Sequence, residues 1–442
     1  MDDAWLDELR EFIAIPSVSA DAAHRDDVLR AADWLAQLIK RAGGEAEVTP
    51  FGERELVLGD IPATTGARDA PTVLVYGHFD VQPPAPLELW ESAPFELDVR
   101  DGWIYGRGIA DDKGHLYSVV KAAELLVHDG GLPVNLRIAA DGEEEIGGHT
   151  IVDFLGEDDR GADAAVIFDG LIFRPEQPEF ATAVRGLVGF HVKVRTGERD
   201  LHSGLYGGVA LNAQHALMRG LAALMAGEDG RLSEELRAGI APVADEERSG
   251  WSRLPAGADL LREAGATPLD DRSAAEFYER TWTEPSMDVN GIKGGKPDLV
   301  NTTLVVEAEA RFTIRLAPGQ DPKAISAAAE RLFRAAVPDG AQVEFEHENA
   351  SPPGLFAPDS PVIRLGLDAF ERAVGRRPIL VRSGGTLPIV PALAAKGIDT
   401  IVTGFSLPES NIHSPNERFR LEDVGRTIAA AQALYTEFAK LR

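Results

Sequence analysis

Thr72-Val73-Leu74-Val75-Tyr76-Gly77-His78-Phe79-Asp80 is the stretch on which the reading of this chain turns. Its first five residues form an apolar run bounded by Pro71 and Gly77, the pattern of a parallel strand buried on both faces. A histidine and an aspartate follow at once. That is where open α/β sheets place their ligands, in the crevice beyond the carboxyl ends of the strands. Before this strand, Trp5, Leu6, Leu9, Phe12 and Ile13, and then Val28, Leu35, Leu38 and Ile39, recur three and four apart, which predicts two helices, the second stopped by Gly43-Gly44. After it, the pattern predicts a helix over 116–127 and strands over 134–138 and 165–168, with a helix over 149–155 between them. Strand and helix alternate as in a doubly wound, mostly parallel α/β sheet.

From about Arg185 the texture changes. Strands are predicted over 188–194, 303–307, 311–316 and 342–346, with helices over 211–224 and 322–336. Strand, helix, strand, strand, helix, strand is the order of a ferredoxin-like α+β layer. Between Gly227 and Tyr278 the chain is acidic and rich in Gly, Pro and Ser, which reads as short helices and loops elaborating that second unit. After Pro352-Pro353-Gly354 the α/β texture resumes, with a helix over 362–374, a strand over 400–405 and a helix over 421–439. The expected organisation is a domain of residues 1–184 and 351–442 with a second domain, 185–350, inserted into it. A chain of 442 residues suits that division, because single cores stop growing beyond about 250 to 300 residues.

Composition narrows the function classes. With 72 acidic against 44 basic residues, the formal charge of −28 repels phosphate backbones and anionic lipid heads, so no nucleic acid partner is expected. No apolar stretch approaches the roughly 20 residues of a membrane helix, so no membrane partner is expected either. The acidic start, Asp2-Asp3-Ala4-Trp5, lacks the basic and apolar regions of a secretory signal, and a cytoplasmic location is the expectation. The chain has no cysteine, so any metal must be held by His, Asp and Glu.

Five acidic or histidine clusters sit beside predicted strands: His78-Phe79-Asp80, Asp111-Asp112, Asp141-Gly142-Glu143-Glu144-Glu145, Asp169-Gly170 and Asn411-Ile412-His413. Each alone is ordinary, since a His-x-Asp pair or a run of glutamates is commonly a solvated face and an Asp after a strand commonly caps a turn. Carboxylates crowded at one crevice, however, repel one another unless cations neutralise them. Two divalent cations, Zn or Mn, with water between them are the simplest resolution.

These residues fall within Gly77-His78-Phe79-Asp80-Val81-Gln82-Pro83, Gly106-Arg107-Gly108-Ile109-Ala110-Asp111-Asp112-Lys113-Gly114, Glu143-Glu144-Glu145-Ile146-Gly147, Asp200-Leu201-His202-Ser203-Gly204 and Gly384-Gly385-Thr386-Leu387-Pro388. In these motifs and their order the chain resembles the M20 metallopeptidase family, in particular its dipeptidase branch with carnosinase-like enzymes. The resemblance implies hydrolysis of dipeptides or short peptides. It assigns His78, Asp111 and Asp169 to one metal and Asp111, Glu145 and His413 to the other, with Asp111 bridging. Asp80 would orient the His78 ring, and Glu144 would be the general base acting on the water between the metals. The Asp111–Asp112 peptide is expected to be cis. The inserted domain would act as a lid and make a homodimer in which His202 stabilises the oxyanion in the partner's site. Arg315 would bind the substrate carboxylate, with Asn301 or Thr302, and Thr386, adding hydrogen bonds. Asp at position 169 favours the dipeptidase reading; the alternatives are a carboxypeptidase or N-acyl amino acid amidohydrolase with the same site, or a non-catalytic peptide-binding homologue. Among the remaining histidines, His115 adjoins the bridging loop and is the one singled out for testing.

Overall fold

The computed structural model describes residues 2–65 and 69–441. Thr72–His78 forms the predicted strand, and its inner positions are buried as the apolar run requires. It lies near the middle of a nine-stranded sheet. The order across that sheet is Glu45–Phe51, Arg54–Ile61, Asn135–Asp141, Thr72–His78, Ala164–Phe168, Thr400–Thr403, Glu179–Val184 and Gly354–Leu355, and Ile379–Ser383 pairs with Glu179–Val184. The four central strands run parallel. Both flanks attach antiparallel, so the sheet is mixed rather than mostly parallel. Of the flanking strands that the sequence pattern does not predict, Glu45–Phe51 is half exposed and polar and so carries no apolar run.

Helices cover both faces. Asp3–Ile13, Arg25–Arg41, Lys113–His128, Pro361–Val374 and Leu421–Phe438 bury Phe12, Leu35, Val120, Phe370 and Leu434 in one core with the central strands. Thr150–Glu157 and Ile389–Ala395 pack on the opposite face, around Ile151, Ile167 and Val390. Pro361–Val374 shows how local sequence sets an element: Ser360 Oγ accepts the Ile363 N–H, Pro361 opens the first turn and Gly375 at φ 75° ends the helix. Lys113–His128 is buried without a break from Lys113 to Ala123, so its first three turns are buried on all sides and carry little amphipathic signal.

A second, four-stranded sheet is antiparallel throughout, in the order Ser286–Lys293, Glu307–Leu316, Gly186–Arg195 and Gln342–Ser351. Ala213–Ala222 and Pro322–Ala336 pack on it around Phe190, Leu217, Phe312 and Phe333. One expected strand is corrected here. The strand predicted over 303–307 is not the second strand of this sheet: Thr303–Leu304 pairs instead with Leu201–His202, and Ser286–Lys293 takes the place. Ser286–Lys293 is an exposed edge with a bulge between Val289 and Gly291, so its polar and apolar residues do not alternate cleanly.

The acidic segment after Gly227 also departs from expectation, because it serves both sheets. Leu232 and Leu236 join the core of the small sheet, and Gln320 Nε2 donates to the carbonyls of Leu236 and Ala238. Trp251, Leu254 and Trp282 instead pack on Ile379 and Val381 of the large sheet. Glu247 fixes that second attachment. Its buried carboxylate receives Arg382 Nε at 3.2 Å and Nη2 at 3.1 Å, and Thr182 Oγ1 donates to it at 2.6 Å.

Candidate active site

The strand Thr72–His78 delivers His78 to the sheet's carboxyl edge, fully buried. Gly77 is required just before it: a Cβ there would stand 2.6 Å from Asp112 Oδ2, which accepts the His78 N–H. His78 Nε2 lies 2.9 Å from Asp111 Oδ1, and its Nδ1 lies 3.3 Å from Asp80 Oδ1. Asp80 also accepts the Glu145 N–H through Oδ2, so one carboxylate sets both an imidazole and the turn that carries the glutamates. His413 Nε2 lies 3.0 Å from Asp111 Oδ2 and 3.0 Å from Glu145 Oε2. Gln82 Nε2 donates to Glu145 Oε2 at 2.9 Å.

Two overlapping triads result. One ligand atom from each of His78, Asp111 and Asp169 lies within 4.8 Å of the others, and the same holds for Asp111, Glu145 and His413. Asp111 belongs to both, and the Asp111–Asp112 peptide is cis, as expected. His413 is reached by a loop in the left-handed region, at φ 59°, with Asn411 and Asn416 alike at φ 54° and 60°. Such backbone is uncommon away from glycine and clusters at functional sites.

The electrostatics ask for cations. Burial, with Asp111 and Asp112 nearby, raises the Asp169 carboxyl well above its ordinary value. Burial also pushes Glu144 up to about 7. Burial opposes charge on Asp111, yet hydrogen bonds with His413 and His78 outweigh it and hold Asp111 below its ordinary value. The bonds to Asp111 and Glu145 in turn push His413 up to about 10. Glu145 Oε1 is buried and has no hydrogen-bond partner among the described residues. Oxygen and imidazole donors this close, with a spare carboxylate oxygen, fit two divalent cations.

The loop holding Asp111 is fixed by residues the sequence reading passed over. Glu417, fully buried, accepts Arg107 Nη1 at 2.6 Å and the N–H groups of Gly108 and Ala110 at 3.0 and 2.9 Å. Lys113 Nζ donates to the carbonyls of Phe12 and Ile15. His115 is buried, and its Nε2 accepts the Phe405 N–H, which makes it a packing residue tying the start of the helix Lys113–His128 to the chain after the strand Thr400–Thr403.

A cavity of about 390 Å³ opens on Asp111, Glu144, Asp169 and His413 and extends to Gly385 and Thr386. Arg315 Nη1 donates to Thr386 Oγ1 at 2.8 Å, which donates to the Arg185 carbonyl at 2.8 Å. The Arg185 guanidinium joins them through Nε to the Gly384 carbonyl; burial and the charge of Arg315 push it down to about 10. Two guanidinium groups beside one hydroxyl make an anion-binding corner, and Arg185 was not foreseen. His202, Asn301 and Thr302 lie elsewhere and are exposed. His202 Nδ1 accepts the Gly204 N–H, Asn301 bonds within its own turn, and the Thr302 carbonyl accepts the Ser203 N–H.

The sequence pattern of peptidase family M20/M25/M40 matches residues 74–437. A cysteinylglycine-S-conjugate dipeptidase of Corynebacterium striatum is 29% identical over 443 residues, covering 97% of this chain and 94% of that protein. The human beta-Ala-His dipeptidase is 26% identical, covering 99% of this chain and 91% of that protein. Among solved structures, an M20 family metallo-carboxypeptidase of Sulfolobus solfataricus superposes with a TM-score of 0.83 at 25% identity, covering 99% of this chain and all of that one (100%).

Proposed function

The chain belongs to peptidase family M20/M25/M40, and from that premise we propose that it is a dinuclear metal-dependent dipeptidase hydrolysing dipeptides or closely similar short peptides. The observation that carries this reading is the meeting, in one cavity, of the two Asp111-sharing triads with Glu144 and the Thr386 corner beside Arg315. His78, Asp111 and Asp169 would hold one cation, and Asp111, Glu145 and His413 the other. Zn or Mn bound there would polarise the scissile carbonyl and make water a ready nucleophile at neutral pH.

The chain's own residues do the rest. Glu144 takes the proton of the attacking water and passes it to the leaving amine; burial keeps its carboxylate basic enough to accept a proton and acidic enough to return it. Asp80 holds the His78 ring in its ligating orientation. Arg315 and Arg185 receive the substrate carboxylate, and Thr386 adds a hydrogen bond. That placement fits the dipeptidases among the relatives, as does an exopeptidase that needs a free carboxyl end.

Residues 185–350 are proposed as an inserted ferredoxin-like lid that makes a homodimer, with 1–184 and 351–442 as the catalytic domain. The strand order of the small sheet supports the first part. Leu205, Val209 and Val300, close in sequence to His202 and Asn301, stand exposed, and they are the apolar side chains proposed to meet the second copy. In the dimer His202 would stabilise the oxyanion in the partner's site, and Asn301 or Thr302 would bind its substrate.

A second reading, carboxypeptidase action on longer peptides, is favoured by the superposition at a TM-score of 0.83. Assay of the metal-loaded protein on dipeptides, longer peptides and N-acetyl amino acids separates them. Dipeptides are expected to be the best substrates; exclusive turnover of acylated amino acids would reverse the order, and full activity after exhaustive chelation would remove the metal mechanism.

A further inference from the structure

The cavity that opens on Asp111 and Asp169 does not stop at the Thr386 corner. It also reaches Phe173, Glu179 and Trp282, and none of these takes part in the chemistry described above. Glu179 begins the strand Glu179–Val184, which lies two strands from Ala164–Phe168, the strand that leads into Asp169. Two strand spacings put it roughly 10 Å from that strand. An extended dipeptide spans about 7 Å, so a substrate anchored at the triads brings its side chain or its far end to Glu179.

The environment of this carboxyl is unusual. Glu179 is 3% exposed. Its carboxyl accepts one hydrogen bond, from the Phe173 N–H at 3.0 Å, and has no basic partner among the described residues. Arg382, on the neighbouring strand, is committed to Glu247. Burial pushes Glu179 up to about 7. A glutamine would accept the same N–H without a buried charge, so the backbone bond does not explain an acid here. The walls around it are aromatic: Tyr278 lies 4.5 Å from Trp282 and 6.1 Å from Phe173, centroid to centroid. Aromatic faces and one carboxylate together are the composition that recognises an organic cation.

We propose that Glu179, walled by Phe173 and Trp282, is a specificity determinant that binds a positively charged group of the substrate. The assignment rests on the peptidase reading and deepens it. The cation is an ammonium, guanidinium or imidazolium carried on a side chain or at the free amino end. Trp282 ends the helix Phe277–Trp282, which directly follows the acidic segment, so the chain at that segment's end has a part in substrate choice.

The test compares paired dipeptides that differ only in lysine against norleucine, each with a free and an N-formylated amino end, on the metal-loaded wild type and Glu179→Gln. One charge-assisted hydrogen bond corresponds to about tenfold in kcat/KM. The wild type is expected to favour the lysine member by about that factor, and Glu179→Gln to bring the ratio near one while the norleucine peptides hold. If the recognised cation is the amino end, Glu179→Gln slows every free dipeptide alike and spares the formylated ones. Equal losses on charged, neutral and blocked substrates overturn the assignment, as does a wild type indifferent to both charges. Calorimetric binding of lysine against norleucine reads the same preference should no dipeptide be cleaved. In that case the peptidase reading falls, while the Glu179 assignment stands or falls on the binding difference.

Discussion

Two regions carry the residues that the motifs single out, and they could hardly be built more differently. At the rim of the large sheet, His78, Glu145 and the loop carrying Asp111 are held from several sides, by Asp80, Gln82, Glu417 and the Asp112 carboxylate. On the small sheet's flank, His202, Asn301 and Thr302 are exposed and bond chiefly to their own turns. The two ligand triads draw all their side chains from one chain. The exposed side chains on the flank make no contact with that site within the chain, and the proposed second copy is what would give them a counterpart.

Breaking the rim should have the largest effect. Glu144→Gln is expected to lower kcat by about 10² to 10⁴ while metal content, measured by atomic absorption, persists; unchanged kcat would take Glu144 out of the mechanism. The flank comes next. His202→Ala is expected to lower kcat by about 10² to 10³, and mixing its subunits with those of Glu144→Gln should recover part of the activity. No recovery would place the oxyanion donor within the same chain. Between the two regions, Arg315→Lys keeps the charge but loses the planar fork, and KM for dipeptides should rise about tenfold with kcat little changed. The smallest effect on the fold itself is expected from Val209→Asp, which should shift the sedimentation profile toward monomer while leaving the subunit's stability within about 0.5 kcal/mol. A dimer that survives this change would contact through another face.

The same contrast explains what could be read from the sequence. His78, Glu145 and Asp169 are legible because each follows a strand whose apolar run announces itself, as Thr72–Tyr76 announces His78, whereas Asp111 is legible from its motif in the loop that opens a helix. Ser286–Lys293 was not, because an exposed edge with a bulge lacks alternation. Arg107 and Glu417 meet across 310 residues, and no local pattern links them. Arg185 and Glu179 were invisible for a different reason: a charged residue beside a strand normally faces water, and only the packing of the loop after Ser383 and of Trp282 encloses them. The acidic segment is expected from its sequence to serve the small sheet alone, because nothing local to Trp251 tells which core it enters.

That segment has a mechanical consequence. The small sheet is joined to the large one by two stretches of chain, at Arg185–Gly186 and Ser351–Gly354, which lie side by side as a pair of hinge points would. The Glu247–Arg382 pair, both side chains 1% exposed, bolts a third point to the frame. Breaking a pair so enclosed costs on the order of 3 to 5 kcal/mol, more than ordinary breathing supplies. Any rotation that opens or shuts the cleft must therefore either flex the strap between Ala241 and Glu247 or carry the rim strand Ile379–Ser383 along with it, and the Thr386 hydroxyl travels at that strand's end.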